Sequence, residues 1–223
     1  MTGKLFAQAL IKVILGAVLV GLLLFIPAGT FSFPNGWLFM GLLFIPMFIV
    51  GIVLMVRDPG LLEKRLDARE SEGEQKKVVA LSGMMFLAAF IIAGLNFRFS
   101  WIVMPSWSVL LGAVIFLGAY LMYGEVLREN SYLSRTIEVQ EGQKVIDTGL
   151  YAIVRHPMYS ATLFLFLSMG LVLGSPISFA ILLLYIPLIV KRIRNEEKVL
   201  AEGLKGYEEY MEIVRYRLIP YIL

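Results

Sequence analysis

Six apolar runs, separated by gaps that hold most of the charged side chains, constrain this chain more than any other feature of its sequence. The first four are long enough to cross a hydrocarbon core, which needs about 20 residues. Mean hydropathy is +0.80, and only 17% of the residues are charged, which is outside the usual range of soluble domains. The sequence therefore predicts an all-α, polytopic membrane protein with five to six transmembrane helices. The runs lie at about 5–26, 37–56, 78–97, 105–124, 158–174 and 176–190.

The last two runs are short and are separated only by turn residues. Gly174 and Ser175 precede Pro176, and this order ends one helix and begins the next. We expect a tight helical hairpin that barely spans the bilayer or is tilted inside the bundle. In the tail that follows, apolar residues recur at helical spacing among charges, which predicts an amphipathic helix or helix pair broken near Gly203 and Gly206.

The distribution of charge predicts the orientation. Residues 56–77 are rich in Lys and Arg, whereas residues 26–36 carry no charge. The positive-inside rule places 56–77 in the cytoplasm and 26–36 outside. Alternation then predicts that both termini and the loop 124–157 are cytoplasmic, with the Arg98 region and the Ser175 turn outside. The apolar core of the first run is too long for a cleaved signal peptide, so we expect a retained helix.

Composition also narrows the chemistry. The chain contains no Cys and a single His, which excludes disulfides, thiol chemistry and thiolate–metal sites and makes a zinc or haem site improbable. The net charge is only +3, and the basic residues lie mainly between apolar runs. That placement is typical of residues that set membrane topology and contact headgroups, so we expect no nucleic-acid partner.

The only histidine, His156, lies where the fifth apolar run begins, in the segment RHPMY. Proline favours the first helical position and pushes the residue before it to an extended conformation. His156 is therefore predicted at the mouth of a helix, whose exposed N–H groups attract anions. Alternatively, Arg155 and His156 are interfacial side chains that reach toward lipid headgroups.

Two further segments carry candidate polar residues. In KRIRNEEKVL, Arg192 and Glu196 are four residues apart and share one helix face, which predicts either a ligand site or a plain ion pair at the membrane boundary. Residues 128–136 and 141–151 mix Asn, Ser and Gln with turn glycines. Their side chains can bind a ribose or adenine, or can equally satisfy their own backbone in turns.

Together these segments resemble one family, the membrane-embedded isoprenylcysteine carboxyl methyltransferases and their prokaryotic relatives. The resemblance covers residues 125 to 223 and rests on the order NSYLSRT…GQKVIDTGLYAIVRHPMYSA…RIRNEEKVL…YEEYMEIVRYRLIP. It implies methyl transfer from S-adenosylmethionine at the cytoplasmic face. Residues 125–223 are then a catalytic region with a cofactor-binding loop, and 1–124 form a scaffold that faces lipid and substrate.

The resemblance also implies roles for individual residues. Glu196 would hold the cofactor, and Arg192 would orient the carboxylate of the substrate; we assign both as catalytic. Ser160 and Ala161 stand where many family members have a Gly after the Tyr. This departure predicts a narrower pocket or a shifted helix packing near Tyr159. The positions that match the cofactor-binding motifs are Gln143, Lys144, Val145, Ile146, Tyr151, His156, Pro157, Met158 and Tyr159.

The residues leave the methyl acceptor open. The favoured acceptor is the carboxylate of a prenylcysteine-like or other lipophilic molecule, because a carboxylate is ionised at pH 7 and needs no general base. Alternatives on the same scaffold are a phospholipid or other lipid amine, and an NADPH-dependent reduction of the sterol type. A small transporter or scaffold is the non-enzymatic alternative, but a transport path predicts ionisable residues inside the apolar runs, where only Lys12 qualifies.

Overall fold

The structure is a computed structural model that describes residues 2–66, 73–133 and 139–222, with only the backbone of residues 2 and 73–75. Within these ranges the regular structure is helical and no strand occurs, which confirms the all-α prediction. Residues 67–72 of the basic loop and 134–136 of the polar segment, including Arg135, lie outside the described residues. The helices are α1 (Thr2–Ala28), α2 (Pro34–Arg57), α3 (Pro59–Leu66), α4 (Gly73–Phe99), α5 (Ser106–Glu129), α6 (Pro157–Val172), α7 (Pro176–Leu182), α8 (Tyr185–Gly203) and α9 (Tyr207–Ile213), with a 3₁₀ turn at Gly149–Ala152.

Five stretches of the described chain are long and apolar enough to cross a membrane, and the protein is an integral membrane protein. Their outward faces carry exposed Leu, Ile, Val and Phe side chains, such as Leu15 and Leu121, as lipid contact requires. The first three stretches contain the first three predicted apolar runs, and the fourth covers all but the first residue of the fourth run. The stretches are Gly3–Ala28, Pro34–Arg57, Lys76–Phe99, Ser106–Glu129 and Pro176–Gly203.

The C-terminal hairpin is less symmetrical than the sequence predicts. Its first arm, α6, has 16 residues and is about 24 Å long. The second arm does not end near residue 190, because α7 and α8 together run from Pro176 to Gly203. The charged residues of α8 therefore continue the helix that the apolar run begins. A helix tolerates such residues at this depth when they face a polar cavity instead of lipid.

Glycines set both turns of the C-terminal region. Gly174 adopts φ +67°, and the Gly174 and Ser175 N–H groups donate to the carbonyls of Leu171 and Gly170, a Schellman end to α6. Gly206 adopts φ +88° between α8 and α9, where the sequence predicts the break in the tail. These turns fold α7 back on α6 and return the tail toward the start of α6.

Contacts between loops divide the bundle into two ends. At one end the guanidinium of Arg98 lies beside Gly29, and Asn35 lies beside Gly174. At the other end Lys64 on α3 donates to the side-chain oxygen of Gln140 at 2.7 Å. This division agrees with the predicted alternation of loops. That the second end faces the cytoplasm remains a prediction.

α6 packs most extensively on α5, and this contact depends on a glycine. A Cβ at Gly112 would lie 2.6 Å from the Cβ of Leu171 and 2.9 Å from the backbone nitrogen of Val172, so the two helices touch without a side chain between them. A Cβ at Gly118, on the same helix, would meet no atom within 4 Å. The contact matters for the site because α6 carries His156 at its mouth.

We predict that Gly112→Ala lowers the free energy of unfolding by about 2 kcal/mol, since the added methyl forces α5 and α6 apart. The matched control, Gly118→Ala, leaves stability unchanged or raises it, because Ala favours helix over Gly. Thermal unfolding in detergent measures both. Equal melting temperatures for the two variants would contradict the close approach of α5 and α6.

Candidate active site

A cavity of about 480 Å³ lies at the end of the bundle where α6 begins and where the charged half of α8 arrives. Side chains from both halves of the sequence line it, including α3 and α4 from the N-terminal half. Its volume falls within the range of ligand pockets, about 300–1,000 Å³. The charged, histidine and amide side chains in its wall are Arg65, Asn130, Gln143, Lys144, Arg155, His156, Arg192 and Glu196.

His156 sits at the mouth of α6, as the sequence predicts, but its side chain is buried. It is the residue before the helix, Pro157 is the first helical residue, and the His156 N–H donates to the carbonyl of Arg217 at 2.9 Å. The residue is 5% exposed, and the adjacent Arg155 is also mostly buried, so the interpretation that they reach toward headgroups is wrong. The imidazole lies between two carboxylates, with Nδ1 3.8 Å from Glu196 Oε1 and Nε2 3.3 Å from Glu197 Oε1.

The two catalytic residues implied by the resemblance, Arg192 and Glu196, meet at the hydroxyl of Tyr159. The Tyr159 hydroxyl donates to Glu196 Oε2, and Arg192 Nε donates to the same hydroxyl oxygen at 3.0 Å. The spacing of four residues places Arg192 and Glu196 on one face of α8, and α6 supplies the tyrosine. The sequence predicts that shared face, whereas the contact of both side chains with Tyr159 cannot be read from their spacing.

Glu197 faces a different set of partners from Glu196. Its side chain is 7% exposed; Oε1 lies 2.9 Å from Arg155 Nε, and Oε2 accepts a hydrogen bond from Arg217 Nε at 2.8 Å. The Arg155 and His156 N–H groups also donate to the carbonyls of Tyr216 and Arg217. One buried carboxylate thus joins α8, the mouth of α6 and the C-terminal tail. Sequence analysis missed the roles of Glu197, Arg155 and Arg217.

The predicted cofactor segment lies on the same cavity. Gln143, Lys144, Val145 and Ile146 line it, as do Tyr151, Met158 and Tyr159. Pro157 does not; it is fully buried and starts α6 behind the cavity wall. The structure therefore brings ten of the eleven site residues implied by the resemblance to one cavity. Their roles toward a ligand stay predictions.

Tyr151 is fixed by hydrogen bonds at both ends. Its hydroxyl accepts from Asn130 Nδ2 at 2.9 Å, and its carbonyl accepts from the Tyr210 hydroxyl at 2.7 Å. Burial raises the pKa of Tyr151 to about 12, so the phenol stays protonated at neutral pH. Two segments, the end of α5 and the C-terminal α9, therefore hold this tyrosine in the wall of the cavity.

An aromatic floor, formed by Phe86, Phe166 and Tyr185, lies at the end of the cavity away from the helix mouth. The Phe166 ring makes edge-to-face contacts with Phe86 at 4.7 Å and with Tyr185 at 4.8 Å between centroids. Phe166 lies ten residues beyond His156 along α6, about 15 Å deeper in the bundle. The cavity therefore changes from polar at the mouth to apolar at depth. In the sequence Phe166 lies within the fifth apolar run, where helix packing or lipid contact is the simplest prediction.

Arg65, on α3, also belongs to the cavity wall, which its position in the sequence does not indicate. It lines the cavity and donates to the Tyr123 hydroxyl on α5. Its neighbour Lys64 donates to Gln140 and lies over the Tyr132 ring. The one sequence feature of residues 56–77 is their basic character, and it predicted the side of the membrane on which they lie, not a role in the cavity. No group of three His, Cys, Asp or Glu side chains converges as metal ligands in the described ranges.

Comparisons with known proteins find two similarities, each of which covers part of the chain. Residues 109–202 match the model of the isoprenylcysteine carboxyl methyltransferase (ICMT) family. A Delta(14)-sterol reductase of Mus musculus is 31% identical over 90 residues, which is 39% of this chain. The aligned region spans 22% of the length of that reductase.

We predict that Glu197→Gln lowers the free energy of unfolding by about 3 kcal/mol, because a neutral amide leaves the buried guanidinium of Arg155 uncompensated. Glu125→Gln is the matched control, since Glu125 pairs with Arg128 on the exposed surface of α5 and salt and water screen that pair. Chemical or thermal unfolding in detergent compares the two. If the Glu197→Gln variant is as stable as the control, Glu197 does not hold α8, the mouth of α6 and the tail together.

Proposed function

We propose that this chain, whose residues 109–202 match the ICMT family of membrane methyltransferases, transfers the methyl group of S-adenosylmethionine to the carboxylate of a lipophilic, prenylcysteine-like acceptor. One observation supports this most: Arg192, Tyr159 and Glu196 are joined by hydrogen bonds in a cavity that turns from polar to apolar. Such a cavity suits one ligand with a charged nucleoside and another with a charged head and an apolar tail.

The residues present fit the cofactor. When bound, S-adenosylmethionine supplies a methyl group on a positively charged sulfur, and it carries hydroxyl, ammonium and carboxylate groups. Glu196 can accept hydrogen bonds from the hydroxyl and ammonium groups, while Lys144 and Arg155 supply positive charge for the carboxylate. Tyr151 and Tyr159 provide rings for packing. A volume of about 480 Å³ accommodates a ligand of drug size.

Arg192 is proposed to hold the acceptor carboxylate. A guanidinium binds a carboxylate through two parallel hydrogen bonds and fixes its orientation. The acceptor oxygen then forms a bond to the methyl carbon as the carbon–sulfur bond breaks, leaving a methyl ester and a neutral thioether. Since the carboxylate is already ionised, no residue needs to remove a proton. His156 is therefore proposed to contact the cofactor at the helix mouth, without acting as a general base.

The aromatic floor and α4 are proposed to hold the apolar part of the acceptor. Val78, Val79 and Phe86 of α4 line the cavity together with Phe166 and Ile189. These residues exclude water, which strengthens the electrostatic hold of Arg192 and Glu196 on charged groups. This arrangement supports the proposed division of the chain, in which residues 125–223 carry the catalytic groups and residues 1–124 supply the lipid-facing side.

A reductase is the second candidate, favoured by the identity with the mouse Delta(14)-sterol reductase. NADPH requires cations for its additional phosphate. Arg65 and Lys144, far apart in sequence, line the same cavity and meet that requirement in part. A lipid amine as methyl acceptor is the remaining alternative, and it differs from a carboxylate because an ammonium has no use for the guanidinium of Arg192.

Calorimetric titration of the purified protein separates the two cofactors. We expect S-adenosylhomocysteine to bind with micromolar affinity, because Glu196 can accept hydrogen bonds from its ammonium and hydroxyl groups, and we expect NADPH to give no heat. Binding of NADPH alone would instead support the reductase. Binding of neither ligand would contradict both proposals.

We predict that Arg192→Lys and Glu196→Gln affect different steps. At saturating cofactor, Arg192→Lys lowers methyl transfer about 100-fold, since a point charge does not orient a carboxylate, while the Kd for S-adenosylhomocysteine stays within about threefold. Glu196→Gln raises that Kd about tenfold through the loss of a charge-assisted hydrogen bond.

Transfer of labelled methyl groups to a membrane lipid extract measures the rate. Release of the label by mild base identifies a methyl ester. A label stable to base would exclude a carboxylate acceptor and overturn the proposed role of Arg192, as would a rate for Arg192→Lys equal to that of the wild type.

A further inference from the structure

Tyr207, the first residue of α9, has a buried hydroxyl that the rest of the described chain leaves unsatisfied. The residue is 4% exposed and lines the cavity, yet its hydroxyl finds no hydrogen-bond partner in residues 2–66, 73–133 and 139–222. Most buried side-chain polar atoms in proteins have a partner, because an unpaired one loses its contacts with water and gains nothing in return. An exception in a cavity wall is a position where a ligand can supply the partner.

The surroundings of Tyr207 place this hydroxyl beside the proposed cofactor segment. Tyr207 belongs to a small apolar cluster with Leu204, Tyr210 and Val214, against which Val145 packs. Gly206, in the left-handed conformation, turns the chain so that α9 lies on this segment. The hydroxyl is therefore held by packing of its ring, with no polar contact that fixes it elsewhere.

The neighbouring Tyr210, unlike Tyr207, has a hydrogen-bond partner for its hydroxyl among the described residues. The Tyr207 and Tyr210 rings lie 5.7 Å apart, and both residues line the cavity. The Tyr210 hydroxyl donates to the carbonyl of Tyr151 at 2.7 Å and has an internal structural role. Two tyrosines on one short helix thus differ in whether the described part of the chain supplies a partner for the hydroxyl.

The Tyr207 hydroxyl stays protonated and acts as a donor. Burial is the main cause of its raised pKa, the negative charges of Glu196 and Glu197 raise the pKa further, and the positive charge of Arg155 only partly opposes them. A protonated phenol in a dry wall donates its hydrogen to an oxygen or nitrogen acceptor. The ribose, the adenine ring and the carboxylate of S-adenosylmethionine all provide such acceptors.

We propose that the Tyr207 hydroxyl donates a hydrogen bond to the bound cofactor, so that α9 is part of the cofactor site. The proposal rests on the proposed function above. It adds a ligand contact outside residues 109–202, the stretch that matches the family, and it assigns a binding role to the C-terminal tail that Glu197 and Arg217 hold in place.

Tyr207→Phe removes one oxygen atom and tests the proposal. We expect the Kd for S-adenosylhomocysteine, measured by calorimetry, to rise about tenfold. The melting temperature of the ligand-free variant stays equal to that of the wild type or rises, because an unsatisfied polar atom has been removed. The matched variant Tyr210→Phe breaks an internal hydrogen bond and lowers the melting temperature of the ligand-free protein.

The possible results are distinct. If the Tyr207→Phe variant has the same Kd for S-adenosylhomocysteine as the wild type, the inference is overturned and the proposed function stands. A fall in both melting temperature and affinity, as expected for a structural tyrosine, also overturns it. Wild-type protein that does not bind S-adenosylhomocysteine overturns the proposed function, and the inference with it.

Discussion

The buried carboxylate of Glu197 is the interaction on which the arrangement of the site depends. It pairs with Arg155 beside the mouth of α6 and accepts a hydrogen bond from Arg217 in the tail, so three segments that are distant in sequence meet at one residue. Leaving the buried charge of Glu197 or Arg155 without its partner is costly, and the segments are therefore held together. Because Glu197 binds the tail, the adjacent Glu196 is left to face the cavity, where Tyr159 and His156 lie beside it.

This division of labour explains how a membrane protein accommodates the charged residues of α8. Arg192 and Glu196 lie on a helix that is continuous with an apolar arm, and exposure of that face to lipid would be unfavourable. The cavity surrounds this face of α8 with polar groups. The polar part of the cavity stops at the aromatic floor of Phe86, Phe166 and Tyr185. The proposed reaction uses both properties, since charged groups of two ligands meet there while an apolar tail lies deeper.

Local patterns in the sequence predicted much of the fold. Hydropathy predicted the first four spans, Gly174 and Pro176 predicted the hairpin, Pro157 predicted the helix mouth at His156, and the spacing of Arg192 and Glu196 predicted their common face. The sequence predicted a separate helix in the tail and missed that α8 joins it to the apolar arm, because charged residues end an apolar run without ending a helix. The joint at Glu197, the reach of Arg65 into the cavity and the unsatisfied hydroxyl of Tyr207 depend on contacts between distant segments, which spacing along the chain does not reveal.

The most direct test of the central claim is an experimental structure of the full chain in lipid or detergent with S-adenosylhomocysteine added. The account predicts density for the nucleoside between residues 143–146 and the mouth of α6, with Glu196 in contact with the ligand and Arg192 turned toward the apolar side. A ligand bound elsewhere, or an empty cavity in protein that methylates lipids, would contradict it.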